Sequence, residues 1–123
     1  MNSSHCTAFT QILNHEGNTG DLAGVRVVAV FLGGNPEFPL SRSRVQSYTV
    51  QMRNMGVEIV DSIENLVKKV DVVVLGSVDG SQRLAQAEPV FRAGKPVFID
   101  KPLAHNLADA LKIQQLGKKY DVS

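Results

Sequence analysis

Short apolar runs alternate along the chain with segments of helical periodicity. The four apolar runs are rich in β-branched side chains, which is typical of strands covered on both faces in a parallel sheet. They comprise residues 25–32, 57–60, 71–75 and 96–99. The pattern therefore predicts four parallel strands with helices on both faces of the sheet.

The intervening segments carry apolar side chains at helical spacing and helix end signals. They predict helices over Ser4–Leu13, 41–55, 62–69, 81–93 and 106–120. The expected end signals are Gly56 and Gly94 after two helices, Asp61 with Glu64 as a capping box, and Asn106 with Asp109 before the last helix. The side chains expected to face the core are Ala8, Phe9, Ile12, Leu13, Val45, Tyr48, Met52, Met55, Ile63, Leu66, Val67, Leu107, Ala110, Leu111, Ile113 and Leu116.

This alternation predicts an α/β fold, a Rossmann-like doubly wound parallel sheet with right-handed crossovers. Such a domain normally opens with a central strand and a glycine-rich turn that binds pyrophosphate, whereas this sequence begins with a predicted helix and contains no GxGxxG. We therefore expect residues 1–123 to be a partial domain that lacks the first strand. Two alternatives stay open: residues 25–32 and 71–75 pair directly, or an element is exchanged with a second copy of the chain.

Composition narrows the function classes. The chain is 43% hydrophobic and 20% charged, and 13 basic against 12 acidic residues give a net charge of +1. Without a block of basic residues, neither nucleic acid nor an anionic membrane is indicated as a partner. No apolar run approaches the roughly 20 residues that span a bilayer. We expect a soluble, cytoplasmic domain.

Cysteine and histidine suggest neither a disulfide nor a metal site. Cys6 is the single cysteine and is expected to be a small buried residue on the first helix. His5, His15 and His105 lie in separate segments without the spacing of metal ligands.

Residues 94–104, GKPVFIDKPLA, are the most specific motif in the sequence. They resemble the glucose-fructose oxidoreductase and inositol dehydrogenase family, whose nucleotide-binding domain carries G-K-x-V-x-x-E-K-P-L-A. Asp100 stands where the family usually has glutamate, and it keeps the carboxylate on a shorter arm. The resemblance extends over nearly the whole chain. It implies NAD or NADP as cofactor, hydride transfer with a sugar, polyol or related hydroxyl substrate, and a C-terminal substrate domain that this chain lacks.

The resemblance also implies roles for individual residues. Lys101 is expected to be catalytic, close to the nicotinamide and the substrate hydroxyl, where an ammonium can stabilise developing negative charge. Asp100 and Pro102 flank it and are expected to lie beside the dinucleotide. The alternatives are a solvated loop lysine and a proline that only shapes the turn.

The turn after residues 71–75 is a second candidate. Ser77 and Asp79 match the family's loop that lies along the dinucleotide, although a turn with these residues is equally explained by glycine and aspartate preferences. Arg83 stands near the position where family members often have histidine, which puts an equivalent contact in question.

Gly33 and Asn35 follow the predicted strand 25–32, where a Rossmann domain meets the adenosine ribose. No carboxylate stands at this tip, whereas Ser41, Arg42 and Arg44 follow closely. These residues suit a 2′-phosphate, but arginines that open a helix are also commonly solvated. The choice between NAD and NADP stays open.

Two kinds of function are consistent with the sequence. The first is the dinucleotide-binding part of an oxidoreductase, for which we expect negligible turnover by the 123-residue chain alone. The second is a non-catalytic Rossmann-like module that binds or pairs with another subunit. A remnant without function is a third reading, and a homo-oligomer stays open.

Overall fold

A computed structural model of the chain describes residues 4–33 and 39–123, except for the side chains of residues 39–44. The helices are α1 (Ser4–Leu13), α2 (Pro39–Asn54), α3 (Ile63–Val67), α4 (Arg83–Arg92) and α5 (Leu107–Tyr120). The strands are β1 (Ala29–Phe31), β2 (Glu58–Val60), β3 (Val73–Leu75) and β4 (Val97–Ile99), and the 3-10 turns are Gly20–Leu22 and Gly80–Gln82. The predicted α/β class and the order of its helices and strands are confirmed.

The chain divides into two compact units, Met1–Val60 and Asp61–Ser123. Each contains one two-stranded parallel sheet, β1 with β2 in the first and β3 with β4 in the second. Val30 lies opposite Ile59, and Val74 lies opposite Phe98. Parallel pairing within both βαβ segments is the arrangement that the alternating pattern predicts.

Strand β1 is shorter than the strand predicted over residues 25–32. Residues 25–28 precede β1 and are not strand, and Val25 and Val28 are exposed. The Asn14 side chain explains this difference, because it accepts a hydrogen bond from Val27 N at 2.8 Å and donates one to Val27 O at 2.9 Å. Both backbone groups of Val27 are thereby bonded to an amide side chain and not to a neighbouring strand.

The core of the first unit lies between its sheet and α2. Val30, Leu32, Met52 and Val57 are buried there. Met52 of α2 belongs to this cluster, and Val45, Tyr48 and Met55 of the same helix pack against it, as predicted.

The predicted apolar face of α1 is wrong. Thr7 and Thr10 are the buried residues of this helix, whereas Phe9 and Ile12 are exposed. Thr10 Oγ1 donates a hydrogen bond to Cys6 O at 2.7 Å, so its hydroxyl can be buried without losing a partner. Cys6 itself is half-buried, not fully buried as expected.

The second unit has the larger core, which joins α3, α4, α5 and one face of its sheet. Its buried members are Val67, Val73, Leu75, Ala87, Val90, Phe91 and Ile113. Ile63 and Leu66 of α3 and Leu116 of α5 pack against them, as predicted. Leu107 and Leu111 were predicted to face the core but are exposed, because the buried stripe of α5 centres on Ile113.

Side-chain caps and one glycine define the helix ends of the second unit. Ser62, one residue later than the predicted Asp61, caps α3 by accepting a hydrogen bond from Asn65 N at 3.1 Å. The predicted cap of α5 is confirmed, since Asn106 Oδ1 accepts from Asp109 N at 2.8 Å. Gly94 follows α4 with a φ of 68°, the left-handed conformation predicted for it.

In the part of the chain that the structure describes, no helix has the length and apolar character needed to cross a membrane.

Replacing Asn106 with alanine removes the cap of α5. We expect Asn106→Ala to lower the free energy of unfolding by about 1 kcal/mol, since an N-cap contributes roughly that amount. Urea denaturation followed by far-ultraviolet circular dichroism measures the loss. Asn106→Asp keeps a capping oxygen and is expected to retain most of the stability. Equal losses in the two variants would show that the cap is not the cause.

Candidate functional site

The candidate site lies at the carboxyl ends of β3 and β4. The first loop (residues 76–82) follows β3 and the second loop (residues 100–106) follows β4. Because β3 and β4 are parallel neighbours, both loops leave the same edge of the sheet. Open α/β sheets bind their ligands outside this edge. The predicted residues Ser77, Asp79, Asp100, Lys101 and Pro102 are all on these two loops.

The side chain of Arg83 links the two loops. It is 0% exposed, although arginine is seldom fully buried. Its guanidinium donates hydrogen bonds to the carbonyl oxygen of Ser77 on the first loop and to those of Asp100 and Pro102 on the second, the latter two at 3.2 and 3.3 Å. Where family members often have a histidine, this protein thus has an arginine whose side chain is bonded to the backbone of the two loops.

Helical periodicity contains a signal for the burial of Arg83. Arg83, Ala87, Val90 and Phe91 are the buried residues of α4, and they follow the spacing i, i+4, i+7 and i+8 of one helix face. Arg83 therefore extends the core face of α4 by one turn towards the loops. The sequence reasoning missed this, because it weighed Arg83 only as a replacement for a ligand-contacting histidine.

Gly80 marks a second close approach of the loops. A Cβ at this position would lie 2.9 Å from Ala104 C and 3.0 Å from His105 N. These are backbone atoms that cannot rotate away, so any side chain here would push the first loop off the second. The loops thus touch at Gly80 and are also joined through Arg83.

The Ser77 side chain is held by α4. Its Oγ donates a hydrogen bond to Gln86 Oε1 at 2.8 Å, and Ser77 is half-buried. A serine hydroxyl has one proton, so while this bond lasts Ser77 can offer a ligand only acceptor lone pairs.

Asp79 shapes the first loop and carries its charge. Its Oδ1 accepts hydrogen bonds from Ser81 N at 2.9 Å and from Ser81 Oγ at 2.6 Å, which caps the 3-10 turn Gly80–Gln82. The bond from the Ser81 hydroxyl, followed by that from its backbone amide, lowers the pKa of Asp79 below its ordinary value. The carboxylate is therefore ionised at neutral pH and acts as an acceptor.

Asp100 and Lys101 begin the second loop. Asp100 N donates to Leu75 O at 3.0 Å, which continues the β3–β4 ladder, and Asp100 Oδ1 accepts from Lys101 N at 2.9 Å. Lys101 is exposed, and the Lys101–Pro102 peptide bond is cis. The half-buried Asp100 thus fixes the backbone from which the Lys101 side chain extends into solvent.

The other predicted cofactor residues belong to the first unit. Gly33 lies two residues after β1 and has a φ of 52°, in the left-handed region that favours glycine. Asn35 lies outside the described residues, as do the side chains of Ser41, Arg42 and Arg44. Of the predicted site residues, the structure brings together five, all in the second unit: Ser77, Asp79, Asp100, Lys101 and Pro102.

The first unit contains an open depression of about 680 Å³ at the amino end of β1. It is lined in part by Asn14, Asn18, Leu22 and Val25. Asn14 and Asn18 of this lining are bonded to the unit's own backbone, Asn14 to Val27 and Asn18 to Ile12 O and Leu13 O. Within residues 4–33 and 39–123, no three His, Cys, Asp or Glu side chains are grouped so that they could hold a metal ion.

Comparison with known proteins gives a family and several structural relatives. Residues 39–123 match the family model described as an oxidoreductase family with an NAD-binding Rossmann fold. Biliverdin reductase from Synechocystis sp. PCC 6803, solved with biliverdin and NADP+, is 26% identical with a TM-score of 0.59, over 77% of this chain and 27% of that one. A protein from Klebsiella pneumoniae described as an oxidoreductase is 26% identical with a TM-score of 0.52, over 62% and 22%.

A third structure, from Bacteroides fragilis NCTC 9343 and likewise described as an oxidoreductase, covers 98% of this chain and 32% of its own. Its TM-score is 0.63 and its identity 17%, so it supports the fold alone. No curated protein matches the chain. The chain spans between about a fifth and a third of the length of these structures.

The family match covers more than half of the chain and includes both loops of the candidate site. It confirms the predicted Rossmann class, the oxidoreductase family and a nicotinamide dinucleotide as the family's cofactor class. On these grounds the chain belongs to the Gfo/Idh/MocA family of oxidoreductases, that of glucose-fructose oxidoreductase and inositol dehydrogenase.

Proposed function

We propose that this chain supplies the dinucleotide-binding side of an oxidoreductase site and that the two loops after β3 and β4 lie along the bound NAD or NADP. The observation that carries the proposal is that Arg83 holds both loops, with all five of the predicted second-unit residues, at one edge of a parallel sheet. The family match and the NADP+ in the biliverdin reductase structure give the class of ligand.

The side chains at this edge suit a dinucleotide. Val78 and Leu103 are about half exposed, one on each loop, and offer apolar surface to a flat ring. Asp79 and Lys101 add an ionised acceptor and a cation donor for ribose hydroxyls and for the reacting oxygen. Apolar surface with a few placed polar groups is what a cofactor site requires.

The chemistry divides between cofactor and protein. A bound nicotinamide ring supplies the position that accepts or donates hydride. As the hydride leaves or reaches the carbon, the proton of its hydroxyl is exchanged with solvent. Lys101 donates a hydrogen bond to this oxygen, and its charge stabilises the negative charge that develops there. Asp100 orients the Lys101 backbone through the bond at 2.9 Å. Sugars, polyols and related hydroxyl compounds are the substrate class that we propose.

Titration with NADH and NADPH, followed by nicotinamide fluorescence, tests this function. We expect saturable binding to the folded chain. We expect Lys101→Met to weaken it about tenfold, since a charge-assisted hydrogen bond from this ammonium to a ribose hydroxyl of the dinucleotide contributes roughly 1.5 kcal/mol net. Lys118→Met is the matched control, because Lys118 is an exposed lysine in the last turn of α5, at the opposite end of that helix from the second loop.

Two results would contradict the proposal. One is a chain that is folded by circular dichroism and binds neither dinucleotide. The other is an equal loss of affinity in Lys101→Met and Lys118→Met, which would indicate a general effect of charge and no contact at the second loop.

A further inference from the structure

Arg83 places a guanidinium among backbone carbonyls in the interior of the second unit. A charge without solvent is costly unless its hydrogen bonds are made. Three of the acceptors are Ser77 O, Asp100 O and Pro102 O, which come from both loops of the candidate site. The guanidinium therefore keeps its hydrogen bonds in the interior only while both loops hold their positions.

The positions of the loops also depend on Arg83, because of the shape of its side chain. A guanidinium is planar and directs five N–H groups in fixed directions, so it specifies the relative positions of the oxygens that it binds. A lysine in its place offers three donors on one nitrogen, and a histidine offers two at most. Arginine at position 83 can thus fix the first loop against the second, and neither substitute reproduces that geometry.

Gly80 supports the same inference by a separate contact. The backbone there approaches Ala104 and His105 so closely that a Cβ would lie within about 3 Å of three of their backbone atoms. The loops are therefore in contact on the side of Gly80 and bonded through the interior by Arg83. A change at either point is expected to move both loops.

We propose that Arg83 is a positioning residue that fixes the spacing of the two loops before a dinucleotide binds and so holds Lys101 and Asp79 at their places on the edge. This inference builds on the proposed dinucleotide site and assigns to α4 the preorganisation of that site. Preorganised loops bind more tightly because the ligand does not have to order them.

The test compares Arg83→Lys and Arg83→Met with Val90→Ala in the full chain. Val90 is 0% exposed and lies on the same helix, but it packs in the core, so its truncation destabilises the unit without removing a bond to either loop. Two quantities are measured in each variant: the backbone amide shifts in the ¹H–¹⁵N spectrum and the affinity for NADPH and NADH. Urea denaturation gives the stability loss by which the variants are matched.

In both Arg83 variants we expect the amide signals of residues 76–82 and 100–106 to move or broaden together. The affinity for the preferred dinucleotide is expected to fall about tenfold, as the ligand must then order both loops. Val90→Ala at a similar stability loss is expected to leave the loop signals and the affinity near those of the unmodified chain.

Gly80→Ala provides an independent variant in which the guanidinium is kept. We expect it to displace the same two sets of amide signals and to weaken dinucleotide binding, because the added Cβ forces the loops apart. This variant also keeps the inference testable if both Arg83 variants fail to fold.

The outcomes separate the inference from the proposed function. If the loop signals of the Arg83 variants match those of Val90→Ala, or if Gly80→Ala leaves the second loop unmoved, Arg83 is not a positioning residue. If the loops move together but the unmodified chain binds no dinucleotide, the proposed function fails and the role of Arg83 in spacing the loops stands. Joint movement with an unchanged affinity would contradict the preorganisation.

Discussion

The hydrogen bonds of one buried guanidinium to three backbone carbonyls fix the arrangement on which the candidate site depends. Arg83 reaches Ser77 O after β3 and both Asp100 O and Pro102 O after β4. Parallel pairing brings the two strand ends to one edge, but it does not fix the loops beyond that edge. Because a desolvated charge requires its acceptors, the burial of Arg83 and the positions of the loops stabilise each other.

Helix α4 accordingly has two roles in the second unit. Its middle and end, through Ala87, Val90 and Phe91, form the apolar core against β3, β4 and α5. In its first turn the buried Arg83 holds the two loops, and the half-buried Gln86 accepts the hydrogen bond of the Ser77 hydroxyl. The core that stabilises the fold is therefore continuous with the groups that shape the edge. Chemistry at Lys101 would use an exposed side chain on a backbone that this interior network holds.

Local patterns predicted most of the fold. Strand and helix positions followed from periodicity, and the cap at Asn106 and the left-handed Gly94 followed from residue type, since these are short-range properties. One error came from a contact distant in sequence, because Asn14 bonds to Val27 and shortens β1. A second error concerned α1, where the burial of Thr10 reverses the expected face. The motif at residues 94–104 located the second loop. Helical periodicity puts Arg83 on the core face of α4, but only the structure showed that it joins this loop to the first, because the pattern does not reveal which groups a buried charge binds.

The central claim is that a nicotinamide dinucleotide binds at the loops after β3 and β4. Mapping the backbone amide shifts of the unmodified chain during addition of NADPH tests it most directly, because each residue reports its own contact. The account predicts that the largest shifts fall on residues 76–82 and 100–106. Shifts confined to the depression lined by Asn14, Leu22 and Val25 in the first unit, or no shifts in a folded chain, would contradict it.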